Sequence, residues 1–140
     1  MLSLLLLFTL ICASSSFAFL PSSTSHRSLS PLLAVVDISD EATFDSAISG
    51  ANSLVIVDYS TTWCGPCKVI APKFEELSEQ YPESIFLKVI GDSSSSASSL
   101  MKRESVRTVP AFHFFKDGVK VDVVNGANAD ALEQAIKKHT

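Results

Sequence analysis

Three textures follow one another along the chain. Residues 4–13, LLLLFTLICA, are an uninterrupted apolar run. Residues 19–34, FLPSSTSHRSLSPLLA, mix serine, proline and apolar positions with no period. Beyond them the apolar positions become periodic, and the period switches repeatedly between that of strands and that of helices.

Residues 33–37 predict a short strand. Ser39 or Asp40 can cap a helix carrying Phe44, Ala47 and Ile48 on one face. Residues 54–59, LVIVDY, run apolar without alternation up to the aspartate, as in a strand covered on both faces. Ile70, Phe74, Leu77 and Tyr81 recur at spacings of four, three and four, one helical stripe whose start falls at or near Cys64. Pro72 lies inside that stripe, where the lost N–H predicts a kink costing about 3 kcal/mol. Residues 85–90 read as a further strand, and a serine-rich turn leads into a helix ending near Arg103. Residues 111–116 and 119–124 flank Asp117-Gly118, a strong hairpin signal. A last helix begins with Asn128 as cap and Asp130 in its first turn, and ends on Lys137, Lys138 and His139, which complement the dipole. The order β-α-β-α-β-α-β-β-α predicts an α/β sandwich, a central mixed β-sheet flanked by helices on both faces. There is no internal repeat.

The 140 residues suffice for one domain and a leader. Apolar residues are 46% and charged residues 19%, with a formal net charge of −4. All fifteen Asp and Glu lie at or beyond Asp37, and Arg27 is the only Lys or Arg before that point. An acidic body with no basic patch excludes the electrostatic footprint of a nucleic-acid binder.

The leader divides in two. The first apolar run has signal-peptide length, too short to span a bilayer comfortably, with small residues at Ser16 and Ala18 that place a cleavage site before Phe19. It lacks the usual positive start, which keeps an uncleaved anchor as the alternative. Residues 19–34 are serine-rich, carry His26 and Arg27 and contain no acid, the composition of an organelle transit peptide. Expected, then, are a signal peptide over 1–18, a transit-like segment over 19–34 and one folded domain over 35–140. Ala18-Phe19 and the acid-free stretch behind it resemble the two-part presequences of algae with secondary plastids. The competing address is secretion or the endoplasmic reticulum lumen.

Cys12 lies in the leader, so Cys64 and Cys67, in the stretch TWCGPCK, are the only cysteines of the body. No disulfide framework can hold such a domain together. A metal clamp would need His113 and His139 as further ligands, and their spacing does not match any zinc-finger pair. A staple closing so short a loop removes little entropy from the unfolded chain. Thiol–disulfide exchange remains. Its attacking species is the thiolate, and Cys64 sits where a strand runs into a helix, so unpaired backbone N–H groups favour the anion. Gly65 and Pro66 are tolerated there because the first turn needs no proline N–H. Cys67, one turn further in, is expected to be less exposed and to act as the resolving thiol. Asp58, at the end of an apolar run, is either a buried carboxylate of raised pKa beneath the cysteines or a solvated strand-end residue. Trp63 is either core or an exposed flap beside the thiols.

The segments VDYSTTWCGPCK, IAPKFEELSEQYP, VPAFHFFKDG and NGANADALEQAIKKH together resemble the thioredoxin family, in its eukaryotic cytosolic form. The resemblance covers residues 35–140 and implies the thioredoxin fold, protein-disulfide reductase activity and no bound cofactor or metal; a monomer is the default expectation. It also implies disulfide-containing client proteins and a thioredoxin reductase, NADPH- or ferredoxin-linked, as partners. Residue by residue it makes Cys64 the nucleophile, Cys67 the resolver, Asp58 the proton relay and Lys88 a neighbour of that carboxylate. It assigns Pro110 as a cis-proline, with the Val109 backbone pairing with substrate, and gives Gly126 and Trp63 places on the docking surface. Two other functions use the same fold, a secretory thiol oxidase or isomerase and a binding module without turnover. The chain departs from the family at VIGDSSSSASSLM, where relatives carry an acidic alternating segment. Gly91 and the serines are expected to loosen that edge and so to touch partner choice. Ser60 stands where many bacterial relatives have an aromatic residue.

Overall fold

A computed structural model describes residues 35–140; the leader and its cleavage sites lie outside the described residues. The elements are β1 (Val35–Ile38), α1 (Glu41–Ser49), β2 (Val55–Ser60), α2 (Gly65–Gln80), β3 (Ile85–Ile90), α3 (Ser95–Arg103), β4 (Ala111–Lys116), β5 (Val119–Asn125) and α4 (Ala129–His139). The element order matches the apolar periodicity. The first strand starts at Val35 and runs to Ile38, whereas the pattern placed it over 33–37, and β5 extends one residue further, to Asn125.

The sheet order is β1-β3-β2-β4-β5. β1, β3 and β2 run parallel, and β4 and β5 complete the sheet antiparallel. All six residues of β2 are buried, which its central place requires and its β-branched composition suits. Alternation along β2 sends Val55, Val57 and Tyr59 into one core with Phe44 and Ile48 of α1 and Leu100 of α3. It sends Ile56 into the other with Ile70 and Phe74 of α2 and Leu132 and Ile136 of α4. Helices therefore cover both faces. Each fully buried Leu, Ile or Phe contributes about 1.5–3 kcal/mol of transfer free energy, so the two clusters hold the sandwich together.

The helix starts are set by side chains. Asp40 Oδ1 accepts from Thr43 N at 2.9 Å, Ser94 Oγ from Ala97 N at 3.0 Å and Asn128 Oδ1 from Ala131 N at 3.0 Å. In α2 the cap is a sulfur: Cys64 Sγ accepts from Cys67 N at 3.2 Å. α2 runs from Gly65 to Gln80 as one helix with Pro72 inside it, so the proline does not end it. Asp117 and Gly118 have φ of 51° and 77°, the left-handed pair that a tight two-residue hairpin demands.

The segment after β3 is not a loosened edge. β3 lies between β1 and β2, and Gly91 N donates to Ser60 O at 2.9 Å, prolonging the β2–β3 ladder. Ser93 Oγ donates to Ile90 O at 2.7 Å, and Ser94 caps α3. His113 is the core's unexpected member. It is buried beside Tyr59 with ring centroids 4.7 Å apart, and burial lowers its pKa to about 4, so it is neutral at pH 7.

Candidate active site

β2 ends at Ser60 and α2 begins at Gly65, leaving four residues to turn the chain. Cys64 N donates to Thr61 O at 3.2 Å, closing the turn. Cys64 then occupies the cap position of α2, with Gly65 and Pro66 opening the helix and Cys67 in its first turn. The two sulfurs are bonded to each other, with the Cα atoms 5.3 Å apart. The expected difference in exposure is absent. Cys64 is 3% and Cys67 5% exposed, so both are buried. Trp63, by contrast, is 74% exposed, and the flap reading holds over the core one.

Asp58 stands on the same side of β2 as Ile56, the side that α2 covers. It is 2% exposed, and its Oδ1 has no hydrogen-bond partner. Burial raises its pKa to about 7, against the opposing pull of Lys88, its neighbour across the β2–β3 register. The strand-end, solvated alternative is thereby excluded. A cavity of about 160 Å³ reaches from this carboxylate to the disulfide, lined by Asp58, Cys67, Lys68, Ala71 and Lys88 among others. It is large enough for several waters.

Pro110 follows a cis peptide bond after Val109, and Pro110 O accepts from Gly126 N at 2.8 Å. Gly126 has φ +86°, and this bond ties it to the start of β4. Two residues with a part in the site carried no signal in the sequence. Thr62 N donates to Asp92 Oδ1 at 2.9 Å and Oδ2 at 3.2 Å, and Thr62 Oγ1 donates to Oδ2 as well. These bonds hold the Asp92 carboxyl below its usual range. They join the turn before the cysteines to the turn after β3, thirty residues away, a separation that no local pattern reveals.

His113 and His139 do not approach the cysteines: His113 lies in the α1–α3 core and His139 bonds Asp122. Among the described residues no group of three His, Cys, Asp or Glu side chains is placed to hold a metal ion.

The thioredoxin family model matches residues 35–138. Thioredoxin 1 of Plasmodium falciparum is 44% identical over 102 residues, covering 73% of this chain and 94% of that protein. The crystal structure of thioredoxin f from spinach chloroplast, short form, superposes with a TM-score of 0.70 at 36% identity, covering 75% of this chain and 92% of that one. The crystal structure of a complex of ferredoxin:thioredoxin reductase and thioredoxin f2 holds a chain with a TM-score of 0.69 at 38% identity, covering 74% of this chain and 93% of that one. With the Cys64–Cys67 pair at the strand-to-helix turn of this fold, the chain belongs to the thioredoxin family and is a protein-disulfide reductase, a thiol–disulfide oxidoreductase.

Proposed function

We propose that Cys64 attacks the disulfides of client proteins, that Cys67 resolves the mixed disulfide, and that Asp58 takes up the proton Cys67 must lose. The observation that carries this reading is the cap position of Cys64. Its sulfur accepts the Cys67 N–H at the end of α2 where the dipole is positive, so an anion is favoured at that atom once the disulfide is reduced. In the first step the Cys64 thiolate bonds to one client sulfur, and the client S–S bond breaks. The other client sulfur leaves as a thiolate and takes a proton from water. In the second, the Cys67 thiol gives its proton through the cavity water to ionised Asp58. Its sulfur attacks Cys64, and the client leaves fully reduced. Two electrons pass from protein to client. Lys88, beside Asp58 in the register, keeps that carboxylate ionisable near neutral pH.

Trp63, Val109, Pro110 and Gly126 form the docking surface in this reading. Trp63 offers an exposed aromatic face, and the Val109 backbone pairs with an extended client segment. Gly65 and Pro66 shape the turn. The oxidised protein is recharged by a thioredoxin reductase. A plastid address, read from residues 19–34, favours a ferredoxin-linked donor, such as the reductase in the complex of thioredoxin f2. A fluorescent fusion of residues 1–36 tests the address: signal in the endoplasmic reticulum or medium alone refutes it.

The test of the chemistry uses the reduced full-length protein and a disulfide-bonded protein substrate. Reduction faster than by free dithiol at equal concentration is expected. Cys64→Ser abolishes it, and Cys67→Ser accumulates a covalent client adduct. A Cys64→Ser protein of undiminished rate refutes the assignment, and a wild type that binds the client without reducing it faster than free dithiol would leave a binding role.

A further inference from the structure

We propose that Met101 is a modification site: hydroperoxides oxidise its thioether, and the sulfoxide slows disulfide exchange by loosening the hook that holds the active-site turn. The inference rests on the reductase reading for its readout but concerns residues outside that machinery.

A β-carbon at Gly91 would lie 1.8 Å from Met101 Sδ, with Met101 Cε and Cγ at 3.2 and 3.3 Å. The glycine is therefore a seat, and the thioether of α3 occupies the space that any other residue's side chain would need. Gly91 and its successor both grip the turn before the cysteines. Gly91 N donates to Ser60 O, and the Asp92 carboxylate accepts from Thr62 N and Oγ1. On its other side Met101 O accepts from Val106 N at 2.9 Å, at the start of the loop leading to Val109 and Pro110. Met101 thus meets the Gly91 turn through its side chain and the loop before Pro110 through its backbone. Met101 is only partly buried, at the margin of the α1–α3 core cluster.

The chemistry balances without help from the protein. A sulfur lone pair attacks the distal oxygen of the hydroperoxide, and the O–O bond breaks as the S–O bond forms. The departing alkoxide or hydroxide is protonated, so the sulfur loses two electrons and the peroxide gains them. The product adds a polar oxygen to an atom packed against backbone. That oxygen cannot share the seat with Gly91, so Gly91 and Asp92 shift together and the Thr62 bonds weaken.

The chain suits a direct test, since Met101 is its only methionine besides Met1. The full-length protein is first oxidised so that Cys64 and Cys67 are protected as their disulfide. It is then treated with hydrogen peroxide, reduced with dithiothreitol, which spares the sulfoxide, and assayed on a disulfide-bonded protein. Mass spectrometry reports the added oxygen at Met101. Expected is a drop of about fivefold in kcat/KM, the loss that one net hydrogen bond at the hook would cause. Methionine sulfoxide reductase treatment restores the rate. Met101→Leu keeps the untreated rate and is insensitive to peroxide, and Asp92→Asn starts lower and drops no further on oxidation. Full activity of the Met101 sulfoxide protein overturns the proposal, as does equal loss in peroxide-treated Met101→Leu. Untreated protein without reductase activity would instead refute the function on which the readout depends.

Discussion

Replacing Asp58 by Asn should stabilise the oxidised protein, and the gain should appear only as pH rises. Asp58 is buried with Oδ1 unpartnered, and its pKa stands at about 7 against 3.8 in the unfolded chain. The folded state thus holds a proton that the unfolded state has already released between those two values. Stability must fall as pH climbs from about 4 to about 7, and level off above. At ~1.4 kcal/mol per pH unit the burden reaches about 4 kcal/mol above pH 7. At pH 4 the wild-type carboxyl is neutral when folded and has nearly the shape of the amide, so the two proteins should unfold alike. At pH 8.5 the variant should be more stable by about 2–4 kcal/mol, the lower figure allowing for an amide that also lacks partners. Urea unfolding of both oxidised proteins at pH 4, 6 and 8.5 measures the difference, and contributions from the other ionisable groups cancel in it. Parallel stability profiles, or a wild type that is the more stable at pH 8.5, would show that Asp58 is not a desolvated acid.

Trp63→Ala should leave stability within about 0.5 kcal/mol, because the side chain is 74% exposed, while raising KM for protein disulfides. A variant with unchanged KM removes Trp63 from the docking surface. Asp122 accepts from Lys138 at 3.0 Å and pairs with His139 at 2.9 Å, and these bonds lower its pKa to about 2. Its stabilisation is present above pH 3.8 and is lost as pH falls through 2. Solvent screening limits it, so Asp122→Asn should cost about 0.5–1 kcal/mol at pH 7, by thermal unfolding, and progressively less as pH falls toward and below 2. Gly126→Ala places a side chain at φ +86° and should cost about 1 kcal/mol or more, with slower client reduction; a neutral effect on both would mean the corner adapts freely.

Local order was legible where one residue type at one position does a local job. Asp40, Asn128 and Asp117-Gly118 announced caps and a hairpin because their side chains or backbone freedom act within three residues. The apolar run of β2 announced a strand covered on both faces. What stayed hidden depends on pairing across distance. The strand order puts β3 between β1 and β2, so the serine-rich segment beyond it adjoins the active-site turn, where composition alone suggested a slack edge. Thr62 and Asp92 are ordinary polar residues until the fold brings them together. Cys64 looked the more exposed of the pair because the packing that buries both cysteines comes from the fold around them.

The orientation of Asp58 is a different case, because it follows from parity. Val55, Val57 and Tyr59 face the α1–α3 core, so position 58 must face α2. A strand one residue out of register would turn the carboxylate away from the cysteines and put a tyrosine beneath them. The same alternation that buries the acid at a cost in stability is what places it on the cavity shared with Cys67. Chemistry and instability therefore have one origin. Any substitution that relieves the second by removing the charge should slow the resolving step, most strongly where water alone must take the Cys67 proton.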